Sequence, residues 1–285
     1  MNADVPYLLV VSELDPVARR VAERWGVPEA TEDRVDGAPI RRLSARALLL
    51  KRVVRHVTDE HLDRLLPEHL RRAGTTLVFP SIHRSERNVP CLTVHPLGNP
   101  GASADVGGRA GQFTPADARL MADALRRLSE RSREVSVPAT YEATHHGPEL
   151  GLPALFVEIG YGELEAPPPE AVGLLANILP HLERAAEDRV VLGVGGGHYA
   201  PHFTDLARRR RWAFGHILSR HALEVVDAPT ALRAYVATPG AEGFVAARAE
   251  DAAHPALAGL GPRRRDAEAP VRAREGPATP GASGT

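Results

Sequence analysis

The sequence predicts an α/β protein in which strands alternate with helices about a mixed, mainly parallel central sheet, and three observations carry that expectation. Apolar runs of strand length recur along the chain (Tyr7–Val11, Thr75–Phe79, Ala154–Ile159 and Val190–Val194), each too short for a buried helix. Helix-opening signals stand between them, a capping side chain followed by proline or by acidic residues. The chain has 285 residues, 43% apolar and 25% charged, enough to bury a core without cross-links.

In chain order, Tyr7–Val11 reads as the first strand. Asp15-Pro16 caps and opens a helix that runs to Trp25 and stops at Gly26. Residues 27–45 read as polar and irregular, and Leu48–Val57 as one or two short strands. Thr58, with Asp59 and Glu60 behind it at the positive helix end, caps a helix through Leu70, and Gly74 is placed to terminate it. Thr75–Phe79 and Cys91–Val94 are strands, followed by a Gly-, Ala- and Asn-rich loop over 98–112. Thr114-Pro115 opens a helix to about Arg131. Val135–Tyr141, Ala154–Ile159, Val190–Val194 and Trp212–Leu218 follow as strands, with a helix over 170–187 bent at Pro180 and a further helix over 203–211. No internal repeat is present. Residues 1–250 are expected to form one domain. Residues 251–285, rich in Arg, Pro, Gly and Ala and poor in large apolar side chains, are expected to be a disordered tail, its Arg263–Arg265 run solvated.

Composition excludes several classes. Cys91 is the only cysteine, which rules out an internal disulfide framework and a Cys-rich zinc knuckle and favours a reducing cytoplasm. A formal net charge of -1 means that any nucleic-acid partner must be met by a local basic patch. No apolar run approaches the roughly 20 residues of a membrane helix, so no membrane partner is expected. Met1–Ser12 lacks the basic start of a signal peptide.

The chemistry-bearing residues are histidines, thirteen in all, eight of them gathered beside Gly, Pro or Ser at the ends of expected strands. Loops beyond strand ends are where open α/β sheets build their sites. Neutral imidazole is both a metal ligand and a proton carrier near neutral pH. Phe79-Pro80-Ser81-Ile82-His83-Arg84 and Thr93-Val94-His95-Pro96 make the first cluster; Ser81, outside any nucleophile elbow, reads as an ordinary loop serine. Tyr141-Glu142-Ala143-Thr144-His145-His146-Gly147-Pro148 is the second, a strand-to-loop exit. In the third, Glu158 interrupts the apolar strand Phe156–Gly160, where an unpartnered carboxylate is costly; a metal, an arginine or a substrate ammonium must face it. The fourth is the triple glycine Gly195-Gly196-Gly197, then His198 and His202 at a spacing of four, with His216 and His221 beyond. It is neither a Walker loop nor a dinucleotide fingerprint, but its backbone N–H groups could meet an anion. From the residues alone, the sequence reads as a metal-dependent α/β hydrolase, with no His-Glu-x-x-His helix to mark the ligands.

Taken together, the strings FPSIHRSERNVPCLTVHPLGN (79–99), EATHHGP (142–148), FVEIG (156–160), GVGGGHYAPHFTDLA (193–207) and GHILSRHAL (215–223) resemble the metal-dependent D-aminoacyl-tRNA deacylases of the archaeal and plant type. The resemblance spans about Tyr7 to Phe244. It implies a three-layer α/β/α sandwich of the phosphorylase/hydrolase kind and a cytoplasmic, zinc-dependent monomer. The implied reaction is hydrolysis of the ester between a D-amino acid and the 3′ end of tRNA. It carries over eight positions without dividing ligands from proton carriers. His83, His145, His146 and His198 are the candidates for catalysis, and His95, Glu158, His202 and His216 for the metal. Gly195, Gly196, Gly197, Arg84, Arg208 and Arg209 are the candidates for contact with tRNA. Two other functions stay open: a zinc peptidase or amidohydrolase on small peptides, which would need no basic rim, and a non-catalytic tRNA-binding module, which would need no histidine cluster.

Overall fold

The structure is a computed structural model and describes residues 6–84, 89–209 and 211–264. Its strands are β1 (Tyr7–Ser12), β2 (Ala30–Val35), β3 (Ala38–Arg42), β4 (Ala47–Arg52), β5 (Thr76–Ile82), β6 (Cys91–His95), β7 (Ala139–Tyr141), β8 (Ala154–Gly160), β9 (Arg189–Val194), β10 (Trp212–Leu218), β11 (Phe244–Ala246) and β12 (Arg263–Arg264). Its helices are α1 (Pro16–Arg24), α2 (Leu62–Leu65), α3 (Glu68–Ala73), α4 (Ala118–Arg131), α5 (Pro169–Ile178), α6 (Pro201–Arg209), α7 (Arg220–Leu223), α8 (Ala228–Val236) and α9 (Ala249–Ala252).

An eight-stranded sheet in the order β2-β3-β4-β1-β5-β8-β6-β7 forms the centre. β4, β1, β5 and β8 are mutually parallel, β6 runs antiparallel to β8, and β2-β3-β4 is an antiparallel edge. Alternation of side chains across the pleat splits β1 between two cores. Tyr7, Leu9 and Val11 pack with α1, α4 and α5 on one face; Leu8 and Val10 pack with Leu62, Leu66 and Leu70 of the α2–α3 segment on the other. Helices therefore cover both faces, giving the expected three layers. A second, fully parallel sheet, β10-β9-β11-β12, was not foreseen. α4 packs against β6 and β7 of the first sheet and β9 and β10 of the second, and one apolar cluster runs from Tyr7 through Leu125 to Val191 and Phe214.

Local signals explain most boundaries. Asp15 caps α1, its Oδ1 accepting from the Val17 and Ala18 amides. Gly74, at φ +71°, ends α3 in the left-handed region. Several expectations are corrected. Residues 30–42 form the β2–β3 hairpin instead of an irregular stretch: Asp36 and Gly37 both take positive φ, as a tight primed turn requires. The helix expected through Leu70 is broken by Pro67 into α2 and α3. α4 starts at the Asp117 cap and not at Thr114, and α5 ends at Ile178 in a short 3-10 turn around Pro180. The strand expected over 135–141 is cut to three residues. The chain beyond residue 250 is ordered through Arg264, because α9 and β12 pack onto β11 and buried Asp251 pairs with Arg220 at 3.1 Å. The remainder of the expected tail, residues 265–285, lies outside the described residues.

Candidate active site

The strand register sets the site. Ser81, Glu158 and Thr93 are opposed across β5, β8 and β6, as are Phe79, Phe156 and His95 at the next level, Phe79 through Phe156. With a period of two, these side chains share the face of the sheet that carries the α2–α3 core. Phe79, Phe156 and His95 stack there at centroid distances of 5.1 Å each. His83 follows the end of β5 on the same side. Onto this face the segment after β7 lays His145 and His146, and the loop after β9 brings His198 and Tyr199. His146 takes φ +41°, and Gly147 approaches the backbone of Gly107 and Gly108 so closely that a Cβ would lie 2.4 Å from it. A cleft of about 740 Å³ opens beside them, lined by Asp15, Arg55, His56, Ser81, His83, Arg84, His145, His146, Phe156 and Glu158 among others. That volume suits a small-molecule-sized group.

Two subsites can be separated by hydrogen bonding. In the first, His95, His145 and His146 place ligand-capable nitrogens within 4.8 Å of one another. The Nδ1 atoms lie 3.1, 2.8 and 2.7 Å from the carbonyl oxygens of Pro96, Ala143 and Gly147. A carbonyl only accepts, so each Nδ1 carries the hydrogen and, in the neutral ring, each Nε2 keeps its lone pair. The His95 Nε2 is buried and has no hydrogen-bond partner; Glu158 Oε2, at 3.7 Å, is beyond reach. Burial, reinforced by the neighbouring imidazoles, holds His145 well below the ordinary histidine range and pushes His146 down to about 4.

In the second subsite, His83 Nδ1 lies 3.3 Å from Glu158 Oε2 and 3.4 Å from Glu142 Oε2, and its Nε2 lies 2.9 Å from the Tyr199 hydroxyl. Glu142 Oε1 lies 3.0 Å from His198 Nε2, an ion-pair distance without hydrogen-bond geometry. Burial opposes charge on His83, Glu142 and Glu158. For His83 the bonds to Cys91, Glu142 and Glu158 outweigh it and raise the pKa; for Glu142 the bonds to His198 and His83 outweigh it and lower the pKa. Glu158 is likewise lowered, by His83 and His95 against burial.

The structure thus gathers His83, His95, His145, His146, Glu158 and His198. It does not gather the rest. His216 is a structural histidine, fully buried, with Nδ1 on the Thr144 hydroxyl at 3.1 Å and Nε2 on the Thr114 carbonyl at 3.0 Å; burial pushes it down to about 4. His202 sits in the first turn of α6 beside Phe203 and belongs to none of the metal-capable groups among the described residues. Gly195 and Gly196 both have positive φ, and a Cβ on Gly195 would lie 2.1 Å from Asp251 Oδ2. Neither they nor Gly197 line the cleft. Arg84 does, whereas Arg208 and Arg209, at the end of α6, do not, and Arg209 faces Asp205. Ser81 donates to Asp15 Oδ2 at 2.8 Å, so it is held as a structural hydroxyl.

Three contributors were missed. Glu142 is the most consequential, completely buried between two histidines; its adjacency to His145-His146 was the available signal. Tyr199 and His56 carried no signal beyond composition, since their placement depends on long-range packing.

A family profile described as D-aminoacyl-tRNA deacylase matches residues 71–254. Among relatives named D-aminoacyl-tRNA deacylase, that of Pyrococcus abyssi is 34% identical over 213 residues, 73% of this chain and 77% of that one. That of Thermoplasma acidophilum is 38% identical over 169 residues (59% and 66%), and that of Methanosphaerula palustris 38% over 236 residues (81% and 49%). The alignment spans under two thirds of the length of these last two. A crystal structure of a conserved protein of unknown function superposes with a TM-score of 0.73 at 27% identity, covering 86% of this chain and 87% of that chain.

Proposed function

Because the chain belongs to the D-aminoacyl-tRNA deacylase family, we propose that its cleft hydrolyses the ester joining a D-amino acid to the 3′ end of tRNA, releasing tRNA and the free D-amino acid. The observation that carries the chemistry is the alignment of three Nδ1–H groups on backbone carbonyls, which leaves three convergent Nε2 lone pairs, one buried without a hydrogen-bond partner. Such outer-shell bonds are what orient imidazoles toward a metal. His95, His145 and His146 would hold zinc, with Glu158 adjoining. Zinc bound there would supply Lewis acidity, making water a nucleophile at neutral pH.

The rest is done by the chain. With Nε2–H directed toward Glu142, 3.0 Å away, His198 keeps its Nδ1 lone pair and can accept a proton from attacking water and return it to the leaving ribose oxygen. His198 is half exposed and its ring lies 4.8 Å from that of His145, at the border of the histidine cluster. His83, held between Glu142 and Glu158, offers a fixed positive charge beside the cleft, where charge develops on the ester oxygen. Arg55 and Arg84 line the same cleft and supply the basic rim that an RNA 3′ end requires. No described helix is long and apolar enough to cross a membrane; the reading takes the protein as a cytoplasmic monomer, a state that sedimentation measures.

The test is release of amino acid from D-Tyr-tRNA and L-Tyr-tRNA, each with and without chelator. Turnover of the D-ester alone, abolished by chelator and restored by zinc, supports the reading. Equal rates on both enantiomers refute it.

A further inference from the structure

α1 is amphipathic in a way its packing explains only on one side. Val17, Ala18, Val21 and Ala22 are buried against the sheet. The opposite face carries Arg19, Arg20, Glu23 and Arg24, which together with Pro167, Pro169 and Val172 line a surface groove of about 450 Å³. The bland account is a solvated helix face, and two observations weigh against it. Some arginines elsewhere are matched to carboxylates, Arg46 to Glu183, Arg109 to Glu149 and Arg131 to Glu134, whereas the exposed Arg42, Arg64 and Arg133 have no carboxylate partner among the described residues but line no groove with others. In the groove, three guanidiniums face one carboxylate and form no ion pair with any described residue, although the i,i+4 spacing of Arg19 and Glu23 would permit one. The far wall, two prolines and a valine, adds no acid.

The groove also lies on the element that borders the cleft. Pro16, at the start of α1, lines the cleft itself. At the rise of an α-helix, Arg20 stands about 6 Å and Arg24 about 12 Å along the axis from Pro16. Arg55 and Arg84, on the cleft rim, likewise have no carboxylate partner among the described residues. Uncompensated positive charge therefore continues from the cleft along one helix of a protein whose net charge is -1.

We infer that the α1 groove binds the phosphate backbone of the RNA strand whose 3′ end occupies the cleft, with Arg19, Arg20 and Arg24 as phosphate contacts. This rests on the cleft being the ester site. Guanidinium groups that carry no intramolecular partner lose nothing when they meet phosphate, and they contact the backbone without reading sequence. The groove thus serves every tRNA alike, while the cleft selects the acylated end.

The test compares wild type with the triple variant Arg19→Gln, Arg20→Gln and Arg24→Gln, which keeps helix-forming side chains. A second triple variant, Arg42→Gln, Arg64→Gln and Arg133→Gln, removes the same charge from exposed positions elsewhere. Binding of uncharged tRNA is followed by fluorescence anisotropy across a salt series, and hydrolysis is followed on D-Tyr-tRNA and on D-tyrosyl-adenosine, which has no backbone phosphate. For the groove variant, the slope of log K against log salt should shrink by about 0.7 per lost contact, about 2 in all. Its KM for D-Tyr-tRNA should rise about tenfold with kcat retained, and its action on D-tyrosyl-adenosine should stay at the wild-type level. Wild-type slope and KM in the groove variant, or equal losses in both variants, would overturn the inference. Should wild type bind tRNA with a groove-dependent slope yet cleave no D-ester, the groove stands and the proposed activity falls.

Discussion

Glu142→Gln is the sharpest perturbation of the proton-handling part of the site. The wild-type carboxylate is completely buried and lies 3.0 Å from His198 Nε2 and 3.4 Å from His83 Nδ1. The amide is isosteric, so the cavity is conserved, but its nitrogen can only donate. Turned toward His198, that nitrogen forces the imidazole to protonate on Nδ1, the wrong tautomer for a base that must present Nδ1 to water. A comparable carboxylate-to-amide change behind a catalytic histidine costs ~10⁴ in kcat, and removal of general base assistance alone ~10²–10⁴. The account therefore predicts a fall in kcat of at least about a hundredfold with KM for D-Tyr-tRNA little changed. Zinc should be retained, because His95, His145 and His146 keep their backbone carbonyls. Single-turnover hydrolysis under excess enzyme reads kcat, and elemental analysis of the same sample reads the metal. A kcat within threefold of wild type in metal-replete variant would refute the assignment of His198 and Glu142.

Three other outcomes follow from the geometry. His216, near 4 in the fold against an ordinary value of 6.5, is neutral when folded and charged when unfolded in acid; stability linked to it is intact above pH 6.5 and declines by about 3 kcal/mol as pH falls toward 4. Urea unfolding of wild type against His216→Gln should show a shallower acid slope in the variant, and parallel slopes would contradict the structural role. Gly195→Ala places a methyl group against the Asp251 carboxylate at a φ of +87° and should cost about 2 kcal/mol, read as a lower urea midpoint; an unchanged midpoint would contradict the packing role. Zinc affinity should weaken as pH falls, since a proton and the metal compete for His95 Nε2, whose protonation burial opposes and Glu158 and Glu142 favour with a net upward shift; competition titration against a chromophoric chelator at two pH values reads it, and a pH-independent constant would exclude His95 as ligand.

Local signals made the strands and most of the site legible in the sequence. Glu158 stood out because a carboxylate inside an apolar strand needs a partner, and it has one within hydrogen-bond reach, His83, with His95 farther off at 3.7 Å. His83, His95, His145 and His146 stood out because they close strands or follow them. The second sheet was less visible: β11 has three residues and β12 two, too few to show a period. Histidine spacing misled where local pattern substituted for tertiary position. His202 sits four residues from His198, but α6 begins between them at Pro201, so the spacing places no shared helical face. His216 was counted with the site because the family resemblance carried over its motif position, whereas β10 delivers it to Thr114 and Thr144. In the triple glycine, Gly195 admits the Asp251 side chain, which comes from a segment that composition alone assigned to a tail. Glu142 escaped because burial between His83 and His198 depends on β7 and the loop after β9 meeting, a contact no local window contains.

The central claim, a D-ester hydrolase whose metal is held by three imidazoles oriented from behind, is tested most directly by zinc content per chain in five alanine variants purified in parallel: at His95, His145, His146, His202 and His216. The account predicts that the first three lose zinc and D-Tyr-tRNA hydrolysis together while keeping the fold, and that the His202 and His216 variants retain one zinc and the activity in proportion to folded protein. Zinc and activity retained in the His95, His145 and His146 variants, or lost specifically on replacing His202, would contradict it.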